Sequence, residues 1–279
     1  MQKINKVRSR MQQGKPSFGC TIMSGSPTVV ESLNVTPFQY ALLDMEHTPY
    51  TSYEALAHMI RAAETADIVP FVRVPDHHPT VISKVIEIGA RAVAVPRIST
   101  GEQARQAVAA SRFAPLGLRG HCPFVRAFDY GYSLDSADFG KLGQVAAANE
   151  EEDREVLVIG LVEEIQAMDD IDAIIDSGLD ALWIGTADLS MTLGIPEAVG
   201  QMFHPEVIRI RDEIVRRCKK RGMPIMATMP SWLEGGISVA QALERWVPQG
   251  VLIYGMGVDL NFMRARIATI AKDIGGLAK

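Results

Sequence analysis

The chain has 279 residues, 47% of them hydrophobic and 22% charged, so its composition is that of a globular protein with a sizeable core and argues against a disordered chain. The net charge of −5, with no basic face interleaved with aromatic residues, argues against a nucleic-acid partner. The N-terminus lacks the apolar core of a signal peptide, and no apolar run approaches the ~18 residues of a membrane span. We expect a cytoplasmic protein without a membrane or nucleic-acid partner.

Short apolar runs typical of buried parallel strands alternate with amphipathic helical patterns along the chain. A first helix is predicted over 2–13. The strand candidates are 17–22, 39–44, 69–74, 91–96, 156–163, 180–185, 223–228 and 250–256. Helical patterns cover 52–66, 80–89, 100–113, 164–178, 204–222 and about 259–274. Several helices begin at Ser, Thr or His-Pro and end at Gly, which is how helix caps read in sequence.

This alternation predicts an α/β fold, a (β/α)8 TIM barrel that forms a single domain over 1–279. A doubly wound open sheet is the alternative, but no glycine-rich dinucleotide loop follows the first strand. The alternation breaks once, at a long loop insertion at about 114–155, which is too long for an idle connection. We expect part of the insertion to cover the active face, and its acidic stretch 149–155 to form a turn or short helix.

Ionisable side chains follow several strand candidates at the C-terminal end, where barrels of this kind carry their chemistry. Burying such groups is costly unless each finds a partner or water, so these strand ends must open onto a polar site. The residues are Asp44, Glu46, His47, Arg73, Glu163 and Asp188. We expect all six to converge on one mouth of the barrel.

Glu163 and Asp188 are the candidate metal ligands, because two carboxylates with no cysteine nearby suit Mg²⁺ or Mn²⁺. Salt bridges are the alternative for both residues, and Asp188 could instead cap the helix that follows it. The three cysteines are far apart in sequence and fit neither a disulfide framework nor a zinc site. Of these, Cys20 and Cys218 are predicted to be buried or idle thiols.

His47 and Asp44 could form a base dyad in which the carboxylate fixes the imidazole tautomer, although a structural histidine is the alternative. Arg73 lies among apolar neighbours and needs an anion, either a substrate group or an internal carboxylate. The backbone N–H groups that begin at Thr186 and Ala187 could hold a carboxylate at a helix N-terminus.

Seven segments, in their order and spacing, resemble the HpcH/HpaI class II pyruvate aldolases, which include 2-keto-3-deoxy-sugar-acid aldolases and the related macrophomate synthase. The segments are LLDMEHTPY 42–50, FVRVP 71–75, IGARAVAVPRI 88–98, RFAPLGLRG 112–120, VEEIQAM 162–168, IGTADLSMTLG 184–194 and GMGVD 255–259. The similarity runs from about residue 15 to 275.

The resemblance implies a divalent-metal-dependent carbon–carbon lyase that forms the enolate of pyruvate and makes or cleaves 4-hydroxy-2-oxo acids with an aldehyde as second substrate. The implied metal is Mg²⁺ or Mn²⁺, with Co²⁺ a further choice. The implied roles are metal ligation for Glu163 and Asp188, the base dyad for His47 and Asp44, enolate stabilisation for Arg73, support near the metal's water shell for Glu46, and carboxylate binding for Thr186 and Ala187.

The resemblance also implies a homohexamer built from dimers, in which the last helix exchanges with a neighbouring subunit. The alternative is that this helix packs on its own barrel.

Three departures from the family pattern limit what can be carried over. Leu161 stands where related aldolases carry Gln, Thr186 stands where Pro is common, and the segment 121–131 replaces a small glycine-containing loop. We expect that segment to change the room for the second substrate, with Arg119 and Arg126 as candidate anion contacts.

Three other functions remain as rivals. One is a macrophomate-synthase-like enzyme that decarboxylates oxaloacetate and adds the enolate to another electrophile. The second is a citrate-lyase-β-like acyl-CoA lyase, against which the DMEH and FVRVP segments argue. The third is a non-catalytic barrel that only binds a keto acid, against which the intact ionisable set argues, because fold alone would not decide it.

Overall fold

A computed structural model describes residues 4–49, 52–131 and 142–277. Its centre is a closed barrel of parallel strands in chain order, in which the last strand pairs with the first. The strands are β1 Ser17–Ile22, β2 Tyr40–Asp44, β3 Val69–Arg73, β4 Ala92–Val95, β5 Leu157–Val162, β6 Ala181–Ile184, β7 Ile225–Thr228 and β8 Val251–Val258. The prediction of a (β/α)8 barrel is confirmed.

Helices surround the barrel and connect its strands. They are α1 Lys6–Gln12, α2 Pro27–Ser32, α3 Tyr53–Thr65, α4 Pro79–Ile88, α5 Gly101–Ser111, α6 Leu142–Glu155, α7 Ile171–Ile175, α8 Thr186–Thr192, α9 Pro205–Arg221, α10 Val239–Trp246 and α11 Asp259–Leu277. The helix predicted over 2–13 is the shorter α1, and residues 2 and 3 lie outside the described part. The helix predicted over 164–178 is instead a 3-10 turn, Ile165–Asp169, followed by the short α7.

The helix caps found in the sequence act as caps in the structure. His78 accepts a hydrogen bond from the Thr80 N–H at the start of α4, and His204 begins α9 in the same way through the Glu206 N–H. Both helices end at glycines with positive φ, 117° at Gly89 and 68° at Gly222, a conformation that favours glycine. Local chemistry therefore sets where these helices begin and end.

Each strand separates two apolar layers because successive side chains point to opposite faces. In β2, Tyr40 and Leu42 belong to the cluster that fills the barrel, whereas Ala41 and Leu43 belong to the cluster between sheet and helices. Inside the barrel the Tyr40 and Phe71 rings stack with centroids 4.5 Å apart. The barrel is therefore a packed core, and open space for a ligand is left at its mouth.

The long insertion lies at the amino-terminal ends of the strands, opposite the expected active face. Helix α5 starts after the carboxyl end of β4 and returns, so the segment that follows it begins at the other end of the barrel. There Arg126 pairs with Glu64 in the last turn of α3, and the Phe113 N–H donates to Asp153 of α6 at 3.1 Å. The expectation that the insertion covers the active face is wrong for its described residues; 132–141 lie outside them.

The acidic stretch 149–155 is the second half of α6, which is longer than the predicted turn or short helix. Its Glu152 faces inward and pairs with Arg91 at 2.6 Å, just before β4. Arg119 is buried, lies 3.5 Å from Glu152, and stacks over the Phe113 ring at 4.6 Å. The two candidate anion contacts, Arg119 and Arg126, are thus paired with the protein's own carboxylates, far from the mouth.

The C-terminal helix α11 does not pack along its own barrel. Residues 260–275 are all exposed, and an apolar stripe along the helix includes Met263, Ile267 and Ile270. Of the two alternatives for this helix, the structure excludes packing on its own barrel over that length. Within the described ranges, no helix is both long enough and apolar enough to cross a membrane.

Candidate active site

Strand alternation and register bring the predicted ionisable residues to the carboxyl-terminal mouth. Asp44 continues the inward face of β2 that carries Tyr40 and Leu42, and it is the direct register partner of Arg73 on β3. Because i and i+2 residues share a face, Glu163 continues the inward face of β5 that carries Leu161. Because alternate residues of a strand share one face, Asp44, Arg73 and Glu163 point into the same space at the mouth.

Arg73 is held rigidly by two carboxylates. Its Nε donates to Asp44 Oδ1 at 2.9 Å, a second bond joins Nη2 to Asp44 Oδ2, and Nη1 lies 3.2 Å from Glu46 Oε2. Asp44 is fully buried, and the guanidinium also lies 5.5 Å from the centre of the Trp183 ring. This forked pairing fixes the cation at the cavity wall, so it needs no reorganisation when a substrate oxygen arrives.

His47 has a different neighbour from the one the sequence predicts. Its Nε2 lies 3.6 Å from Glu46 Oε2, whereas its contact with Asp44 is a 3.4 Å hydrogen bond from its own backbone N–H. Among the described residues, the donors to the Asp44 carboxylate are the Arg73 guanidinium and the backbone N–H groups of Glu46 and His47. The structure therefore does not form the His47–Asp44 side-chain dyad; Glu46 is the carboxylate beside the ring.

Glu163 is fixed in place by two backbone features. Its Oε1 accepts a 3.0 Å hydrogen bond from the N–H of Arg97, a residue whose φ of 53° is uncommon for a non-glycine. On the other side Gly185 approaches so closely that a Cβ there would lie 2.7 Å from the Glu163 Cβ. Burial raises the pKa of Glu163 to about 7, and the charges of Asp188 and Glu46 add to this rise. The Arg97 N–H and the positive charge of Arg73 lower the pKa of Glu163 and so offset only part of this rise.

Two adjoining cavities meet at the candidate residues. The first, of about 250 Å³, is lined by Arg73, Thr186 and Ala187 among others, and the second, of about 210 Å³, by Glu46 and Arg97. His47, Glu163 and Asp188 line both. The structure therefore places every predicted site residue except the buried Asp44 on the surface of this space, with Asp44 directly behind Arg73.

The oxygen ligands available where the two cavities meet fit a hard divalent cation. The buried Glu46 Oε2 has Arg73 Nη1 at 3.2 Å as an ion-pair partner but makes no well-aligned hydrogen bond, and two further carboxylates, Glu163 and Asp188, face the same space. Within the described ranges no three His, Cys, Asp or Glu side chains are arranged to hold a metal by themselves. The protein would thus supply two carboxylates and leave other positions to water and substrate, as is usual for Mg²⁺.

Sequence reasoning did not find several residues of the mouth. Trp183 stacks near Arg73, Arg97 orients Glu163 through its backbone, and Thr228, Pro230 and Ser231 form part of the wall. Arg97 and Thr228 lie at or just after the carboxyl ends of β4 and β7, so their position in the chain was an available signal. Clusters of ionisable residues do not point to them, because Thr228, Pro230, Ser231 and Trp183 are neutral and Arg97 acts on Glu163 through its backbone N–H.

Comparison with known proteins decides the family. The model of the HpcH/HpaI aldolase/citrate lyase family matches residues 18–265. The chain belongs to this family. A 2-keto-3-deoxy-L-rhamnonate aldolase from Klebsiella pneumoniae is 31% identical over 257 residues, which cover 91% of this chain and 87% of that protein. The predicted family resemblance and the assignment to carbon–carbon lyases of the aldolase class are confirmed.

Solved structures agree with this assignment. An HpcH/HpaI aldolase/citrate lyase family protein from Burkholderia cenocepacia has a TM-score of 0.80 at 25% identity, covering 97% of this chain and 99% of that one. Macrophomate synthase has a TM-score of 0.77 at 21% identity, covering 97% of this chain and 88% of that one, and so shows the fold alone. Dependence on a divalent metal is confirmed at the level of this aldolase class.

The close approach at Gly185 gives a test of how Glu163 is positioned. We expect Gly185→Ala to weaken Mn²⁺ binding by about 10–100-fold, because the new Cβ would displace a carboxylate that the site holds in place. Titration calorimetry with Mn²⁺ measures this. Gly120→Ala, at a glycine with open space around it and at the other end of the barrel, is the matched control. Equal affinities in all three proteins would contradict the proposed metal site.

Proposed function

We propose that this family member forms or cleaves 4-hydroxy-2-oxo acids through the enolate of pyruvate, with Glu163 and Asp188 as ligands of a divalent metal. The observation that supports this most directly is that His47, Glu163 and Asp188 line both cavities of the mouth, one of which also contains Arg73. An acid–base group, a fixed cation and two hard oxygen ligands then face one small space. This is the set that enolate chemistry at a keto acid needs.

Glu163 and Asp188 would hold the metal, with Glu46 close to its water shell; Mg²⁺ or Mn²⁺ is our first choice and Co²⁺ the next. Bound there, the metal would act as a Lewis acid that polarises the keto group of the substrate. Leu161 stands where related aldolases carry a glutamine, so this chain offers no side-chain amide at that position. Its binding of the substrate must therefore depend more on Arg73 and the backbone.

Arg73 stabilises the negative charge that develops on the substrate oxygen, because its fork is already anchored by Asp44 and Glu46. The segment at Thr186 and Ala187 lines the same cavity and would bind the pyruvate carboxylate through backbone N–H groups. Thr186 Oγ1 is buried without a partner and could add a further donor.

His47 moves the proton. In cleavage it takes the proton of the C4 hydroxyl as the C3–C4 bond breaks, the electron pair remains on the three-carbon fragment as the enolate, and a proton is then returned to C3. The half-exposed imidazole beside Glu46 is suited to this exchange, because it reaches both the site and solvent. Addition to an aldehyde follows the same steps in reverse.

Deuterium exchange tests the proposal without knowledge of the second substrate. The protein is incubated with pyruvate in D₂O with Mn²⁺, and then with EDTA, while the methyl signal is followed by NMR. We expect metal-dependent loss of the signal. The first aldol substrate to test is 2-keto-3-deoxy-L-rhamnonate, which the names of the curated relatives give. If the methyl signal persists in the presence of metal, the pyruvate-enolate assignment is wrong.

Replacement of the candidate base should separate proton transfer from metal binding. We expect His47→Gln to slow exchange by about 10²–10⁴-fold, because a positioned acid–base group contributes about that much, while Mn²⁺ affinity stays near that of the wild type. Exchange by NMR and metal titration measure the two effects. His58→Gln, an exposed histidine on α3, serves as the control. Wild-type exchange in His47→Gln would remove His47 from the mechanism.

We further propose that the protein is a cytoplasmic homohexamer in which α11 packs against a neighbouring subunit. Support comes from the exposed apolar stripe of α11, since a row of uncovered aliphatic side chains is typical of an interface. We expect the double variant Met263→Glu/Ile267→Glu to lower the molar mass in solution, as measured by light scattering after size exclusion. Lys272→Glu, on the opposite side of the helix, should leave the mass unchanged. An unchanged mass in the double variant would exclude this interface.

A further inference from the structure

A buried arginine between two tryptophans lies directly behind one wall of the active site. Arg211 of α9 is 1% exposed, and its guanidinium lies 5.2 Å from the ring centre of Trp232 and 4.8 Å from that of Trp246. It also donates to Glu234 at 2.8 Å. The two indole rings meet edge to face with centroids 4.8 Å apart. This cluster ties α9 and α10 to the turn that contains Trp232.

One side of that turn packs against the arginine–tryptophan cluster, and its other side lines the active-site cavity. It is the 3-10 turn Met229–Trp232, which follows β7 without a break. Trp232 is fully buried against the cluster, whereas Thr228, Pro230 and Ser231 line the 250 Å³ cavity. The Ser231 hydroxyl donates to the Thr228 carbonyl at 2.8 Å and closes the turn. The position of this wall is therefore set by what holds Trp232.

The wall formed by Thr228, Pro230 and Ser231 lies on the side of the mouth where the lining side chains are uncharged, which we call the neutral half. The ionisable residues of the site come from the carboxyl ends of β2 and β3, from the segments that follow β2, β4 and β5, and from the start of α8. On the other side, β1, β7, β8 and the residues that follow them contribute neutral side chains, which are Thr21, Met23, Thr228, Pro230, Ser231 and Val258. Within the described residues of this half, the side chains that line the cavity offer hydroxyls and apolar surface and carry no charge. The carboxylate of the buried Asp259, which follows β8, does not line the cavity and accepts from the Met23 and Ser24 N–H groups at 2.9 and 3.1 Å. A second substrate that binds there is recognised by hydroxyl hydrogen bonds and apolar contact.

We propose that Arg211 is a positioning residue that fixes the Thr228–Ser231 wall through Trp232, and that this wall binds the non-reacting end of a short, uncharged aldehyde. The inference rests on the proposed aldolase function. Pyruvate is bound on the ionisable side of the mouth, so Arg211 acts on the second substrate and not on enolate formation. A displacement of the wall by about 1 Å is enough to cost on the order of 10²-fold in reaction with that substrate.

The first part of the test uses two aldehydes of similar size and different charge. Glycolaldehyde and glyoxylate are each offered with pyruvate and Mn²⁺ to the wild-type protein, and kcat/KM is measured from pyruvate consumption. We expect a preference for glycolaldehyde of about tenfold or more, because a carboxylate would have to lose its hydration in a neutral half-site. A preference for glyoxylate would overturn the assignment of this half to an uncharged aldehyde.

The second part separates positioning from stability. We expect Arg211→Met to raise the KM for glycolaldehyde about tenfold or more while pyruvate deuterium exchange stays within about threefold of wild type. Arg211→Lys should recover part of the loss, because an ammonium can also lie over an indole ring. Arg209→Met, an exposed arginine on the same helix paired only with Glu206 among the described residues, is the control and should match the wild type.

Each outcome decides a different claim. An unchanged glycolaldehyde KM in folded Arg211→Met would show that Arg211 is structural only, and a parallel fall in exchange would place its effect on the pyruvate side; either result overturns the proposal. If Arg211→Met does not fold, Arg211→Lys and Ser231→Ala carry the same KM test, and an unchanged KM in both overturns it equally. No exchange in the wild type would refute the aldolase proposal itself, and the role of the wall with it.

Discussion

Arg73→Met should both destabilise the protein and abolish most of its activity. The change removes the partner of the fully buried Asp44, and breaking a buried ion pair by removing one partner costs about 3–5 kcal/mol of unfolding free energy. It also removes the fixed charge beside the developing enolate oxygen, a loss we expect to slow pyruvate exchange by about 10²–10³-fold. Denaturant unfolding and NMR exchange measure the two effects.

A double variant separates the two roles of Arg73. Asp44→Asn/Arg73→Met removes both charges of the Asp44–Arg73 pair, and only Glu46 then loses a cation, the one 3.2 Å from its Oε2. The asparagine oxygen can still accept the 2.9 Å hydrogen bond from the Glu46 N–H. We expect the part of the lost stability that comes from the unpaired Asp44 charge to return while exchange stays slow, because replacing both partners of a buried pair is often close to neutral. Full recovery of exchange in this variant would show that Arg73 matters only as the partner of Asp44.

Glu163→Ala and Asp188→Ala should each abolish metal-dependent turnover. Both carboxylates line the two cavities of the mouth, and within the described residues no third carboxylate, histidine or cysteine completes a metal site with them. The loss of one ligand should therefore weaken Mn²⁺ binding by more than 10²-fold and reduce exchange to the level seen with EDTA, since changes even to groups that only support a ligand cost about 10–100-fold. Metal titration and NMR exchange measure these effects.

Asp169→Asn is the matched control for these ligand variants. Asp169 is an exposed carboxylate in the 3-10 turn that follows Glu163, so it tests whether negative charge near the mouth is sufficient. We expect wild-type metal affinity in this variant. Undiminished exchange in either Glu163→Ala or Asp188→Ala would show that the metal, if one is required, binds elsewhere.

The fold and most of the mouth could be predicted because they follow from short periods in the sequence. The repeated strand and helix pattern determines the barrel, and the two-residue alternation puts Asp44 on the face of Tyr40 and Leu42, as it puts Glu163 on the face of Leu161. These residues are therefore aimed at the barrel axis by their position in the strand alone. For this reason, the ionisable residues at the carboxyl ends of the strands could be predicted from the sequence.

The carboxylate that lies beside the His47 ring could not be predicted in the same way. His47 lies in irregular backbone after β2, where no period relates sequence position to direction. Asp44 is also the register partner of Arg73, and the forked guanidinium occupies both of its oxygens. The charge-assisted fork is a stronger partner for Asp44 than the imidazole, a competition that spacing along the chain does not reveal.

The position of the insertion was predicted at the wrong end for a topological reason. Its length suggested a functional loop, but it follows a helix and precedes a strand, and such a connection in a barrel starts at the amino-terminal ends of the strands. The order of α5 and β5 was therefore better evidence than length. Arg126, paired with Glu64 at the end of α3, shows where the segment lies.

Cys122 provides a site for chemical labelling at the amino-terminal end of the barrel. It is the exposed thiol on the segment that follows α5, whereas Cys20 and Cys218 are buried. A maleimide reagent should therefore modify one position per chain, at the end of the barrel opposite the mouth. Immobilisation or a fluorescent label attached there would leave the entrance open to solution, so the enzyme could be used on a surface or followed by spectroscopy without engineering a new attachment site.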